Sequence, residues 1–243
     1  MRAGFIGYVI IWIRCVVAFN LHLTRHRLWR VCEGQTKNYV APLVETVDEL
    51  DVLESILESS KPPYCAEDPR HFLLSTPFRY AERTPGGSRF IAHGATGAMY
   101  AGEVPEVCFR EAGHWAYHRF VRQSEGLSSQ TFSLRRTLFS FDVSGAAIDL
   151  FAPPFDVDAA AWLSPDNYVP CQRMGSAARQ AGIDLIRYRS VRDPDHRAAM
   201  VVLADRPIVS NAPASQEDFD LFIGKSQVAW RGLQSRDQYT IAI

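Results

Sequence analysis

Glu111 is the residue of this sequence whose setting most needs an explanation. The stretch opening at Pro105 brings Cys108, Ala112 and Trp115 onto one helix face, and Glu111 falls at the edge of that apolar stripe. A carboxylate beside apolar surface needs a partner or a purpose, because taking a charge out of water uncompensated is costly. His114 and His118 follow on the same helix. A local ion pair is therefore the plain structural reading, and a carboxylate acting on a ligand is the functional one. The two histidines form H-x-x-x-H, but the glutamate of the H-E-x-x-H zinc motif is missing and no third ligand is evident, so no metal is expected.

Arginines make up the second group of chemically able residues. Lysine occurs only as Lys37, Lys61 and Lys225, so the positive charge is almost wholly guanidinium, the group that grips phosphates and carboxylates with two parallel hydrogen bonds. Arg79 stands between Phe78 and Tyr80, and Arg89 follows the turn Pro85-Gly86-Gly87-Ser88. Taken alone, either arginine reads most simply as a surface residue beside half-buried rings. Tyr100 reads as a strand residue packing its ring, and Ser190, after Arg187-Tyr188-Arg189, as a strand-end residue. No G-x-S-x-G elbow surrounds Ser190, which argues against a hydrolase nucleophile. Neither a phosphate-binding P-loop nor a dinucleotide G-x-G-x-x-G fingerprint occurs.

The elements that must carry these residues are short and mixed. Thr46 and Glu49 make a capping box for a helix over 46–60, with Leu50, Leu53, Ile56 and Leu57 as its apolar stripe and two prolines to stop it. Residues 78–80 are of strand-like composition, and 89–92 and 98–102 read as strands. A helix runs from Pro105 to about Ser124, and 138–143 and 147–150 are strands. A helix from about Gln172 ends at Gly182, and the apolar runs 185–188 and 200–204 are of strand length. Such mixing predicts an α+β fold rather than regular βαβ winding.

In order, Phe78-Arg79-Tyr80, Gly87-Ser88-Arg89-Phe90, Gly97-Ala98-Met99-Tyr100-Ala101 and Glu111 resemble the RES domain, a family named for its Arg, Glu and Ser. Gln172, Gly182-Ile183-Asp184 and Tyr188-Arg189-Ser190-Val191-Arg192 continue the resemblance, which covers roughly residues 77–205. It implies an ADP-ribosyltransferase-like sheet core with flanking helices, NAD as substrate rather than cofactor, and a helix-turn-helix antitoxin covering the active site. It also implies that the protein is the toxin of a bacterial toxin–antitoxin pair that degrades NAD at the nicotinamide–ribose bond. Carried over by position, Arg79 and Arg89 bind the ligand, Tyr80 and Tyr100 line the site, Glu111 is catalytic, and Ser190 is the remaining signature residue.

Physical chemistry gives these roles content. Nicotinamide leaves as a neutral group, so the difficulty lies in the positive charge developing on the ribose, which one fixed carboxylate can stabilise. Arginines can clamp the pyrophosphate, and tyrosines can stack on a base. Ser190 has two open assignments, to nicotinamide or to phosphate. The acceptor is open as well: water gives a glycohydrolase, phosphate a phosphorylase, and a protein side chain an ADP-ribosyltransferase. A binding module without activity is the remaining alternative.

Composition bounds the rest. The 243 residues carry 26 Lys and Arg against 27 Asp and Glu, a net charge of -1 that disfavours direct nucleic-acid binding. Five scattered cysteines without a C-x-x-C pair fit a reducing compartment. The chain divides into an apolar extension over 1–20, a helical segment over 21–65 and a catalytic domain over 66–243. In the extension, Arg14 splits the apolar run into pieces too short to span a bilayer. An over-extended start, a peripheral anchor and a degenerate signal ending near Val16 and Ala18 are its three readings, and the expected location is the cytoplasm without membrane insertion. Self-association stays open.

Overall fold

The computed structural model describes residues 21–34, 40–62, 69–122 and 131–242. The extension over 1–20 lies outside them. Eight strands form one mixed sheet: β1 Leu21–Glu33, β2 Met99–Gly102, β3 Phe132–Asp149, β4 Leu185–Arg189, β5 Ala198–Val202, β6 Ser215–Ile223, β7 Gln227–Gly232 and β8 Gln238–Ala242. The helices are α1 Val47–Ser59, α2 Phe72–Arg79, α3 Pro105–Tyr117, α4 Ala159–Trp162 and α5 Val169–Gln180. This is the mixed α+β architecture the sequence predicts.

Strand β3 organises the sheet. Along one edge it pairs antiparallel with β1, from Leu21↔Ile148 to Glu33↔Arg136. Its first half pairs with β6 and its last three residues pair in parallel with β4. Both of those ranges overlap the one taken by β1, so β4 and β6 share the opposite edge. Since β1 also meets β2, the strands β1-β2-β5-β4-β3 close on themselves, and β6-β7-β8 extend outward from β3.

The core follows this division. Leu28, Leu74, Met99, Phe139, Phe141 and Val202 pack within the closed strands and against α2. Phe90, Phe155, Cys171, Ala178 and Ile186 bury α5. Phe109 of α3 packs its ring against Phe219, Trp230 and Tyr239 on the outer strands, with ring centroids 4.7 to 5.0 Å apart. Val107 of the same helix joins the Phe90 cluster. Helix α3 thus bridges the two parts of the sheet, which fixes the side chains on its remaining face.

Several expectations change. The segment 21–65, read as helical, begins as the 13-residue strand β1, and among its described residues the helical ones are 41–43 and α1. The charged run Arg25-His26-Arg27 hides the strand period. It is tolerated because Arg27 stands directly opposite Asp142 and donates to it at 2.9 Å and 3.1 Å. Arg79 ends helix α2 rather than lying in a strand; Pro77 inside that helix disguises it. Residues 89–91 form bends, 138–143 and 147–149 belong to one 18-residue strand with Leu150 in the turn after it, and 200–204 lies at the end of β5 and beyond it. Helix α1 has the capping box read from Thr46 and Glu49, with both reciprocal bonds present. Helix α3 stops at Tyr117 and continues as a π-helical turn over His118–Arg122.

Candidate active site

A cavity of about 360 Å³ opens between α3, the turn over 84–89, strands β1 and β2, and the loop before α5. Glu111 lines it from α3. The Ser190 hydroxyl donates to Glu111 Oε1 at 2.5 Å, which fixes one carboxylate oxygen. Ser190 is itself fully buried. Its amide donates to the Arg197 carbonyl at 3.0 Å, and its carbonyl bonds to His196 Nδ1 at 2.9 Å.

The turn beyond Ser190 is locked in its own right. Asp193, with no exposed surface, accepts from Arg197 Nε at 2.6 Å, from Nη2 at 2.9 Å and from the Arg197 amide at 3.1 Å. Arg110 Nε, next to Glu111, lies 3.3 Å from the same carboxylate. The hydrogen bonds from Arg197 hold the Asp193 carboxyl below its usual range.

The turn carrying Arg89 depends on backbone conformations that favour glycine. Gly87 has φ +79°, and a Cβ there would lie 2.4 Å from the Ile91 carbonyl. Gln172 of α5 donates to the carbonyls of Gly86 at 2.7 Å and Ser88 at 3.0 Å. The Tyr100 hydroxyl completes the turn, lying 3.0 Å from Ser88 Oγ and accepting from the Phe90 amide at 2.9 Å. Burial pushes this phenol up to about 12. Tyr188 is buried against Phe90, and its phenol rises well above the ordinary value, through burial first and the Glu111 charge second. Both phenols are neutral at physiological pH. Cys108 also lines the cavity, but burial lifts its thiol to about 12 and it donates to the Trp29 carbonyl at 2.9 Å, so it offers no thiolate nucleophile.

Three arginines and one carboxylate, Glu111, line the cavity among the described residues. Arg30 enters from β1 and donates to the Tyr100 carbonyl at 2.8 Å; among the described residues no carboxylate pairs with it, and burial lowers its pKa. Arg89 donates to the carbonyls of Trp162 at 3.1 Å and Ser164 at 3.0 Å, and lies over the Tyr168 ring at 4.7 Å. Arg192 donates to the Pro165 carbonyl at 3.1 Å and lies 6.0 Å from the Trp115 ring centroid.

Of the residues singled out in the sequence, the structure brings Arg89, Tyr100 and Glu111 to the cavity wall and places Ser190 directly behind Glu111. Arg79 and Tyr80 are not part of that wall. The Arg79 guanidinium donates to the Pro62 carbonyl and lies 5.9 Å from the Tyr80 ring. Arg30, Arg192, Trp115 and Tyr168 are the wall residues that sequence reasoning passed over as site candidates. The dipeptide Trp29-Arg30 in a segment of strand length was the available signal for the first.

A cavity beside the closed strands whose wall carries one serine-bonded carboxylate and three arginines has the chemistry to take an anionic ligand. The chain belongs to the RES domain family, whose family model matches residues 62–223. Strand β1 and Arg30 therefore lie outside the matched range. Among solved structures, a chain of the crystal structure of the M. tuberculosis MbcT–MbcA toxin–antitoxin complex shares the fold, with TM-score 0.50 and 12% identity over 85% of this chain and 90% of that one. No curated protein matches the sequence. Among the described residues, no helix is long and apolar enough to cross a membrane, and no cluster of three His, Cys, Asp or Glu could hold a metal.

Proposed function

We propose that this protein degrades NAD by cleaving the nicotinamide–ribose bond, with water or phosphate as acceptor, and acts as the toxin of a toxin–antitoxin pair. The observation that carries the reading is that Glu111, held by a buried serine hydroxyl, shares the wall of one cavity with Arg30, Arg89 and Arg192. NAD is an anion whose reacting ribose becomes cationic in the transition state. The arginines bind the pyrophosphate, and the carboxylate stabilises the charge that forms only as the bond breaks, so binding energy is directed to the transition state. Ser190 keeps the carboxylate oriented, which avoids reorganisation during the reaction. Tyr100 and Tyr188 are neutral walls that exclude water from the reacting bond.

Membership of the RES family and the fold shared with a chain of a toxin–antitoxin complex support the toxin role. The matching partner is a helix-turn-helix antitoxin that covers the cavity mouth, and the matching location is the cytoplasm, where NAD is found. The test is incubation of purified protein with NAD, with or without phosphate, and identification of products by mass. ADP-ribose or ADP-ribose 1″-phosphate is expected, together with free nicotinamide. Intact NAD in the presence of folded protein would rule the reading out, and ADP-ribose attached to a protein would reassign the acceptor.

A further inference from the structure

Trp115 follows Glu111 by four residues on α3, so the two side chains lie on one face about one helical turn apart, and both line the cavity. Trp115 is 52% exposed. A large aromatic ring left half in water at the mouth of a cavity is a ready stacking surface. The Arg192 guanidinium lies on the Trp115 side and is tied to the Pro165 carbonyl. Across the mouth Arg89 repeats the arrangement, lying over Tyr168 and tied to Trp162 and Ser164. The rim thus consists of two arginine–aromatic pairs, both bonded to the segment 162–165.

The volume of about 360 Å³ is near the lower end for ligand pockets. A dinucleotide that places one ribose at Glu111 fills this space with that nucleotide and must run its second nucleotide out across the rim. The bridging phosphates then pass the rim arginines, and the second base reaches an exposed indole.

We propose that Trp115, with Arg192 against it, forms an outer subsite that stacks the second base of a dinucleotide, and that this subsite makes the protein select dinucleotides over mononucleotides. The proposal rests on the NAD reading above and adds to it the residue that sets substrate size. Stacking on an aromatic ring needs no particular base, so the subsite selects for the presence of a second base rather than its identity.

The test compares kcat/KM for NAD and for nicotinamide mononucleotide in the wild type, Trp115→Ala and Trp115→Phe. The wild type is expected to prefer NAD. Trp115→Ala should cut that preference about tenfold or more, through KM for NAD rather than kcat, and Trp115→Phe should keep most of it. Equilibrium binding of NAD to Glu111→Gln protein, which reads affinity without turnover, should weaken by a similar factor when Trp115→Ala is added. A wild type indifferent to the second nucleotide, or an alanine variant that keeps the preference, overturns the outer subsite while leaving NAD degradation standing. A wild type that neither binds nor consumes either nucleotide overturns both.

Discussion

The Glu111 end of the cavity and its rim are held by different kinds of contact. At the inner end the bonds join side chain to side chain and each has one buried partner: Ser190 to Glu111, and Asp193 to Arg197 and Arg110. At the rim, half-buried arginines donate to backbone carbonyls of one connecting segment. A carbonyl is a weaker acceptor for a guanidinium than a phosphate oxygen, so an anionic ligand can draw the rim arginines toward itself. One cavity therefore joins an inner end set in advance to a rim that can adjust.

The sharpest way to break the comparison is Glu111→Gln. The substitution keeps the size and the Ser190 contact but removes the charge, and NAD consumption should fall about a hundredfold or more with the melting temperature nearly unchanged. Turnover close to normal would remove Glu111 from the chemistry. Arg30→Gln should come next, raising KM for NAD about tenfold, since a desolvated guanidinium with no carboxylate partner among the described residues is available to the ligand. Arg79→Gln should cost less affinity, because that side chain is directed to the Pro62 carbonyl. Steady-state kinetics on the two variants separate them, and the reverse order would move the anion site to α2.

Ser190→Ala should lower kcat by about tenfold, leaving KM near its starting value, because a loosened carboxylate costs orientation rather than ground-state binding. A change confined to KM would mean that the hydroxyl contacts substrate. The smallest effect expected is on pH dependence. Asp193 has a folded-state pKa below its unfolded value, so its contribution is present above the unfolded pKa and is lost as pH falls through the folded one. Denaturant titrations of wild type and Asp193→Asn should therefore diverge most near neutrality and converge in acid. A constant gap down to low pH would show that Asp193 acts through shape alone.

Legibility differed between the two ends. Glu111 was readable because Pro105 starts a helix and the spacing to Cys108 and Ala112 fixes its face. The same stripe misleads at Trp115, which counts as apolar in sequence and is half exposed in the structure. Arg89 and Tyr100 stood out through the Gly-Gly turn and the motif order. Arg30 did not, because its strand has no clean alternation and its partner β3 lies more than a hundred residues further on. Arg79, between two aromatic residues, looked like the better candidate; only the position of α2 shows where its guanidinium goes. The outer strands β6, β7 and β8 went unread, although β7 buries Val228, Trp230 and Gly232 in strict alternation.

The closed set of strands also sets a clock. Strand β1 can pair with β3 once the chain has been made to Asp149, which builds the wall that carries Arg30. Glu111 still lacks Ser190 then, and the rim lacks Arg192; both arrive with β4 and the turn that Asp193 and Arg197 lock. A chain still on the ribosome passes most of its synthesis with the wall of this cavity unassembled. On the proposed function, activity would wait for the last part of translation, a delay written into the order of the strands.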